Sequence, residues 1–435
     1  MNEIRIVTII GSNGAMGSSV AGIIASFGCA TVFMIARTIE KAEESIVAAM
    51  QTVRSESIRD RMVAKTYDDL GECVSKSDWV FESVAENFEL KLTINHRIAQ
   101  YCSATTIIST GTSGLSVKKL SEAFPLELRS NYFGTHFYNP PYRMTLCELV
   151  MSDYSAKPLS VELKTYLERI LLRKVVLVID CPAFAGNRVG FQFINEALLK
   201  AEVEMNRGGV DYIDSLLGSY TGRAMPPLKT IDFVGLDIHK AIVENVYNNS
   251  SDSLKKTFVL PKFIDELINA GNMGVKTGGG LYKYDMVGGV KKQYVYDIKT
   301  SQYRLAKNYS FKFADDMKEL LQSSEYEKAY TVLLEDRSYE ASIIKHSILR
   351  YVSYSLMMVG TVVKTKDDID VVMMAGYNWS PPSVFVDLFG GVDNTIDLMR
   401  EYGVDTPSVL TGVVDRGPFY TLQDSFDYRR YFRSK

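Results

Sequence analysis

The first apolar run, Ile4 to Ile10, is rich in β-branched residues, and glycine follows it at once. Such a run predicts a buried strand. Gly11-Ser12-Asn13-Gly14-Ala15-Met16-Gly17 comes next. Ser18 to Phe27 then forms a helix of small and apolar residues closed by Gly28, and Thr31 to Ile35 gives a second strand. Strand, glycine loop, helix and strand make one βαβ unit. Ile39 to Met62 reads as helix. Trp79 to Val84, Thr106 to Ser109, Tyr132 to Phe137, Leu146 to Met151 and Val175 to Ile179 read as strands. Strands separated by helical stretches predict a mostly parallel sheet.

From Cys181 the pattern turns helical. Val189 to Arg207 has apolar residues at helical spacing and ends at Gly208-Gly209, and Asp211 to Leu217 begins another helix. Pro226-Pro227 then leads to Ile231-Asp232-Phe233-Val234-Gly235-Leu236-Asp237. The order returns 155 residues later, where Pro381-Pro382 leads to Val386-Asp387-Leu388-Phe389-Gly390-Gly391-Val392-Asp393. Asp211-Tyr212-Ile213-Asp214 is likewise echoed by Asp367-Asp368-Ile369-Asp370. We read an internal repeat of two helical domains. Between them Gln293 to Leu305 alternates as a hairpin does, and Ala314 to Leu334 reads as a helix. The expected layout is an α/β Rossmann-like dinucleotide-binding domain at 1–180, a helical domain at 181–285, a linker with hairpin and helix at 286–338, and a second all-α domain at 339–435.

Composition narrows the function classes. The 435 residues are 46% apolar and 23% charged, which fits a globular protein of two or three domains and excludes a disordered, collagen-like or coiled-coil chain. No apolar run approaches the roughly 18 residues of a membrane span. A formal charge of -3 gives no reason to expect a nucleic-acid partner. The five cysteines are scattered without a CxxC pair, so neither a disulfide framework nor a metal site is expected. Met1-Asn2-Glu3 lacks the features of a secretion signal, and a cytoplasmic setting is expected.

A glycine loop between strand and helix lets the backbone approach a pyrophosphate, and the helix N-terminus favours its charge. Here the spacing is G-x-x-G-x-x-G over Gly11, Gly14 and Gly17. The end of the second strand normally holds an acid for the ribose hydroxyls. Ala36 stands there, followed by Arg37, a forked donor suited to a 2′-phosphate, which points to NADP over NAD. Hydride transfer at an alcohol also needs a proton acceptor. Of the four histidines, His96, His239 and His346 lie in helical runs, whereas His136 ends a strand of the first domain. Ligands of such sheets bind beyond strand C-termini. Glu148 is an acid inside the apolar strand Leu146 to Val150 and wants a partner. Pairing with His136 would fix the imidazole tautomer and strengthen it as a base.

In this order the chain carries Gly14-Ala15-Met16-Gly17, Ser83-Val84-Ala85-Glu86-Asn87 with Lys91, and Thr112-Ser113-Gly114-Leu115. These are followed by Gly134-Thr135-His136-Phe137-Tyr138-Asn139-Pro140, Glu148, Pro182-Ala183-Phe184 with Asn187-Arg188, and Lys276-Thr277-Gly278-Gly279-Gly280-Leu281-Tyr282. In this it resembles the 3-hydroxyacyl-CoA dehydrogenase family, in particular its long bacterial members with two helical domains, and no hydratase part is expected. The resemblance implies NAD-dependent oxidation of a 3-hydroxyacyl thioester. It makes His136 the acid/base, Glu148 its orienting partner, and Ser113 and Asn187 the holders of the substrate oxygen and of the catalytic water or thioester. Gly11, Gly14, Met16, Gly17, Arg37, Glu86, Lys91 and Lys276 would contact the cofactor. It also implies an acyl-CoA-type substrate and a monomer or homodimer. Departures are Gly111 where asparagine is usual, Ala183 in place of the Pro-Gly-Phe glycine, and a second helical copy without the Asn-Arg pair, expected to be structural. Two other readings fit the same residues: a dehydrogenase of a non-CoA hydroxy acid, since no unmistakable CoA-phosphate cluster stands out although Arg54, Arg59, Arg61 and Lys65 are candidates, and a nucleotide-binding protein with a decayed site.

Overall fold

The computed structural model describes residues 4–413, 417–422 and 426–431. They form two compact units. The first runs to Ala185 and also includes Val362–Lys364 and Ala375–Tyr377, and the second takes up the chain from Gly186.

The first unit holds β1 (Ile6–Ile10), α1 (Ala15–Phe27), β2 (Thr31–Ala36), α2 (Ile39–Val53), β3 (Met62–Thr66), α3 (Leu70–Lys76) and β4 (Trp79–Glu82). It continues with α4 (Phe88–Ala99), β5 (Ile107–Thr110), α5 (Val117–Ser121), β6 (Tyr132–Phe137), β7 (Leu146–Met151), α6 (Lys157–Arg169) and β8 (Lys174–Ile179). One sheet has the order β3-β2-β1-β4-β5-β6-β7-β8. Neighbours run parallel except β6 and β7, which are antiparallel. Helices cover both faces, so the central strands are apolar without alternation. Val7 and Ile9 of β1 share a core with Ile23 and Ile24 of α1 and with Leu163 and Leu167 of α6. Chain direction across the sheet reverses between β1 and β4, the place where such sheets open a crevice at their strand C-termini.

The stretch from Ile39 to Met62 is not one helix. α2 stops at Arg54, which takes the left-handed conformation at φ 54, and Met62 opens the edge strand β3. Most helices that end this way use glycine, so the sequence carries no stop signal here.

The second unit holds α7 (Gly186–Val203), α8 (Val210–Leu216), α9 (Pro227–Val234), α10 (Leu236–Asn249) and α11 (Lys262–Asn269). Next come β9 (Tyr282–Val287), β10 (Val290–Asp297) and β11 (Gln302–Leu305), and then α12 (Lys312–Gln322), α13 (Tyr326–Glu335), α14 (Tyr339–Met357), α15 (Lys366–Gly376), α16 (Pro382–Leu388) and α17 (Val392–Glu401). The alternating segment is more than a hairpin, because β9 joins β10 and β11 in an antiparallel sheet. The helix expected at Ala314 to Leu334 is two helices, broken where Ser324 has φ 66.

The repeated aspartates play matching parts. Asp232 accepts the N–H groups of Leu281 at 2.6 Å and Tyr282 at 3.3 Å. Asp387 accepts those of Phe419 at 2.7 Å and Tyr420 at 2.9 Å. Asp214 and Asp370 accept N–H groups at the starts of α9 and α16, and burial pushes each carboxyl up to about 7. Removing either carboxylate of the first pair strands two backbone donors. Asp232→Ala and Asp387→Ala are each expected to lower the unfolding free energy by about 2–4 kcal/mol, measured by urea titration. A loss confined to Asp232 would break the equivalence.

Candidate active site

The loops after β1 and β4 meet at the crevice. Gly11 has φ 79, and a Cβ on it would lie 2.7 Å from Ser83 O. A Cβ on Gly17 would lie 2.6 Å from Gly11 O, so this glycine lets α1 pack against the loop. Gly14 meets only ordinary contacts and is the N-cap of α1 without a side-chain cap. The helix start therefore offers first-turn N–H groups to an anion. A cleft of about 820 Å³ lies here, lined by Gly11, Gly14, Met16, Arg37, Glu86 and Ser113 among others.

At the far end of the cleft β2 finishes in buried Ala36 and exposed Arg37. Tyr67 and Arg97 line the same end. Arg97 donates to Tyr67 O at 2.7 Å, with its guanidinium carbon 5.7 Å from the ring centroid. This end carries the guanidinium groups of Arg37 and Arg97 and the ring of Tyr67.

A buried network supports the cleft wall. Glu82, fully buried at the end of β4, accepts Lys91 Nζ at 2.9 and 3.1 Å, Thr110 Oγ1 at 2.7 Å and Val84 N at 2.7 Å. Lys91 also stands 3.5 Å from Glu86 Oε2. Glu86 Oε1 accepts Thr112 Oγ1 at 2.6 Å and the Ser113 N–H at 2.8 Å. Lys91 is thus a buried counter-ion, and Glu86 ties the β4 loop to the loop that carries Ser113. Glu82 escaped the sequence reading, although it gives the signal that marked Glu148, an acid within an apolar strand. At Gly111, where asparagine was expected, a Cβ would lie 2.8 Å from Phe81 Cζ, so the aromatic ring takes that space.

The second cluster lies on β6 and β7. Their antiparallel register sets His136 opposite Glu148. Nδ1 and Glu148 Oε2 are 2.7 Å apart, with His136 4% exposed and Glu148 wholly buried. An ionised carboxylate only accepts, so Nδ1 carries a hydrogen, and in the neutral ring Nε2 keeps its lone pair. The Tyr138 hydroxyl donates to the same Oε2 at 2.9 Å, and the Ala185 N–H to Oε1 at 3.0 Å. Ala183 and Phe184 have φ 62 and 53. This turn delivers the Ala185 N–H, and in an alanine it costs about 1–2 kcal/mol. Phe184 packs 5.6 Å from the imidazole. Tyr138 was missed too, although a residue two places after His136 shares its side of an extended chain.

Thr110 of β5 pairs with Gly134 of β6. Ser113 and His136 thus lie just beyond that pair, at the same strand ends as the glycine loop. Asn187 and Lys276 belong to the second unit. Asn187 is buried in the first turn of α7, and Lys276 pairs with Asp237. Arg188 beside Asn187 binds Asp252 at 3.0 Å. Among the basic candidates Arg59 meets Glu43, Arg61 bonds Ala25 O and Lys65 faces Asp69 and Glu72. His239 is buried against Asn195 and desolvation pushes it down to about 3, while His346 falls to about 4. Among the described residues no cluster could hold a metal ion, and no helix is long and apolar enough to cross a membrane.

Residues 6–181 match the family model described as 3-hydroxyacyl-CoA dehydrogenase, NAD binding domain, and residues 184–284 match 3-hydroxyacyl-CoA dehydrogenase, C-terminal domain. The chain belongs to the 3-hydroxyacyl-CoA dehydrogenase family. A relative from Bacillus subtilis, named "Probable 3-hydroxyacyl-CoA dehydrogenase", is 26% identical over 95% of this chain and 54% of its own length. The pig protein "Hydroxyacyl-coenzyme A dehydrogenase, mitochondrial" is 28% identical over 65% of this chain and 91% of its own length. The chain spans about half the length of the curated relatives that match most of it. The crystal structure of 3-hydroxybutyryl-CoA dehydrogenase from Escherichia coli shares the fold, with a TM-score of 0.70 at 20% identity over 94% of this chain and 98% of its own. Like the matched models, this member of the family has a Rossmann-like NAD-binding domain followed by helical domains.

The Glu82–Lys91 pair makes a direct test of the wall. Lys91→Met leaves a buried carboxylate without its counter-ion and is expected to cost about 3–5 kcal/mol, read by chemical denaturation. A loss below about 1 kcal/mol would mean that the pair adds no more than a surface bridge.

Proposed function

We propose that the chain catalyses reversible hydride transfer between C3 of a 3-hydroxyacyl thioester and a nicotinamide cofactor. The observation that carries this reading is the buried His136–Glu148 pair, 2.7 Å apart, at the strand ends that also hold the glycine cradle. A dinucleotide fits that cradle, since Gly11 closes on Ser83 and an uncapped helix start stands beside the cleft. Gly11, Gly14, Met16 and Gly17 would hold its pyrophosphate, and Glu86, braced by Lys91, its ribose and nicotinamide side. When bound, the cofactor accepts a hydride from C3 or returns one to it.

His136 Nε2 takes the hydroxyl proton during oxidation and gives it back during reduction. Glu148 keeps the ring in the tautomer that makes this possible and stabilises the imidazolium once formed. Ser113 and Asn187 hold the substrate oxygen and the catalytic water or thioester, and Lys276 contacts the cofactor. The thioester is read as a CoA ester because the relatives are named for that substrate. The reading carries a cytoplasmic setting and a monomer or homodimer.

His136→Ala is expected to lose about 10²–10⁴-fold in turnover while binding cofactor as the parent does. This is checked by absorbance at 340 nm with acetoacetyl-CoA, with free acetoacetate as the comparison substrate. Near-parental turnover would remove the assignment, and a preference for the free acid would replace the CoA ester.

The cofactor choice rests on Ala36 and Arg37. NADPH is expected to bind more tightly than NADH, and Arg37→Ala to erase the difference, measured by calorimetric titration. Equal affinities in the parent protein would leave NAD as the cofactor.

A further inference from the structure

The His136–Glu148 pair has a third member. Tyr138 sends its hydroxyl to the carboxylate oxygen that His136 already meets, at 2.9 Å beside 2.7 Å. The two rings lie 4.6 Å apart at 57°. Other parts of the first unit hold the Tyr138 ring in place. Tyr377 meets it edge-on at 5.8 Å. Gly376 lies so close that a Cβ there would reach within 3.3 Å of the tyrosine ring. Tyr138 is 8% exposed, so bulk water cannot readily replace Glu148 as the partner of its hydroxyl.

We propose that Tyr138 is a positioning residue that sets the proton affinity of His136 by sharing Glu148 Oε2 with it. The proposal rests on the dehydrogenase reading above. Two donors on one carboxylate oxygen compete, because each draws charge that the other would use. The hydroxyl leaves less negative charge for the imidazolium. The shared oxygen therefore holds the imidazolium less tightly than it would in a pair of two. That suits a group that must act as base in one direction and acid in the other.

The titratable and charged groups around the pair come from several elements. They include Tyr138 after β6, Cys147 on β7, Tyr377 after α15, and Arg173 before β8. Burial raises the Cys147 thiol, with the Glu148 charge adding to it and Arg173 opposing. Burial and the Glu148 charge also raise the Tyr377 hydroxyl. The turn over the imidazole brings apolar Ala183 and Phe184.

The test is Tyr138→Phe in the full chain, which keeps the ring and removes only the hydroxyl. With four histidines, NMR titration of labelled side chains resolves His136. Its midpoint is expected to rise by about one pH unit, a tenfold change in the protonated fraction. The acidic limb of kcat for oxidation should move the same way, and reduction should extend to higher pH. An unmoved midpoint in a variant that binds cofactor and unfolds at the parental temperature overturns the proposal. Tyr138→Phe is also combined with Glu148→Gln, which removes the shared charge. Added to that background it should shift nothing more, and a further shift of the same size overturns the proposal. A raised midpoint in a protein that turns over no thioester with either cofactor defeats the dehydrogenase reading and leaves the competition for Oε2 standing.

Discussion

A carboxylate without water must have its charge met by the protein, and Glu148 places that demand at the centre of the first unit. One oxygen takes the imidazole and the phenol, and the other takes the backbone N–H of Ala185. Each donor comes from a different piece of chain. The antiparallel register of β6 and β7 supplies His136, the residue two beyond it supplies Tyr138, and the left-handed turn at Ala183 and Phe184 supplies the N–H. Remove the buried charge and none of these arrangements has a reason to be there.

Glu82 repeats the device on β4 of the same sheet. It ends an apolar strand, where Glu148 lies within one, and Lys91, Thr110 and the Val84 N–H satisfy it. Glu86 then passes the same rigidity to Ser113. The wall of the cleft and His136 are thus both anchored on carboxylates that the sheet excludes from solvent. The groups that meet a ligand stand on supports whose rotamers are already committed. Adaptable surface chemistry is left to the cationic end of the cleft, where Arg37 is exposed.

Much of this was legible in the order of residues. The glycine loop announced the switch point because a sharp strand-to-helix turn leaves a compositional mark. His136 and Glu148 stood out as polar residues in apolar strands, and period two placed both in one sheet. The end of α2 was not legible, since Arg54 adopts a conformation that its side chain does not advertise. Nor was the break at Ser324 between α12 and α13. The part played by Lys91 was hidden for another reason. Its partner Glu82 is nine residues away, and only the packing of α4 beside β4 brings the charges together. Gly111 reads as a missing asparagine until the ring of Phe81 is seen in that space.

The first unit is not a single stretch of chain. Val362–Lys364 and Ala375–Tyr377 belong to it, with Val362 O accepting the Ile179 N–H at 2.9 Å and Tyr377 lying on Tyr138. During synthesis the sheet can form as soon as β8 leaves the ribosome, yet its cover over the tyrosine must wait for almost two hundred residues more. A nascent chain would thus carry an assembled but unroofed His136–Glu148 pair through the translation of α7 to α15, and the roof arrives only with the segment around Tyr377.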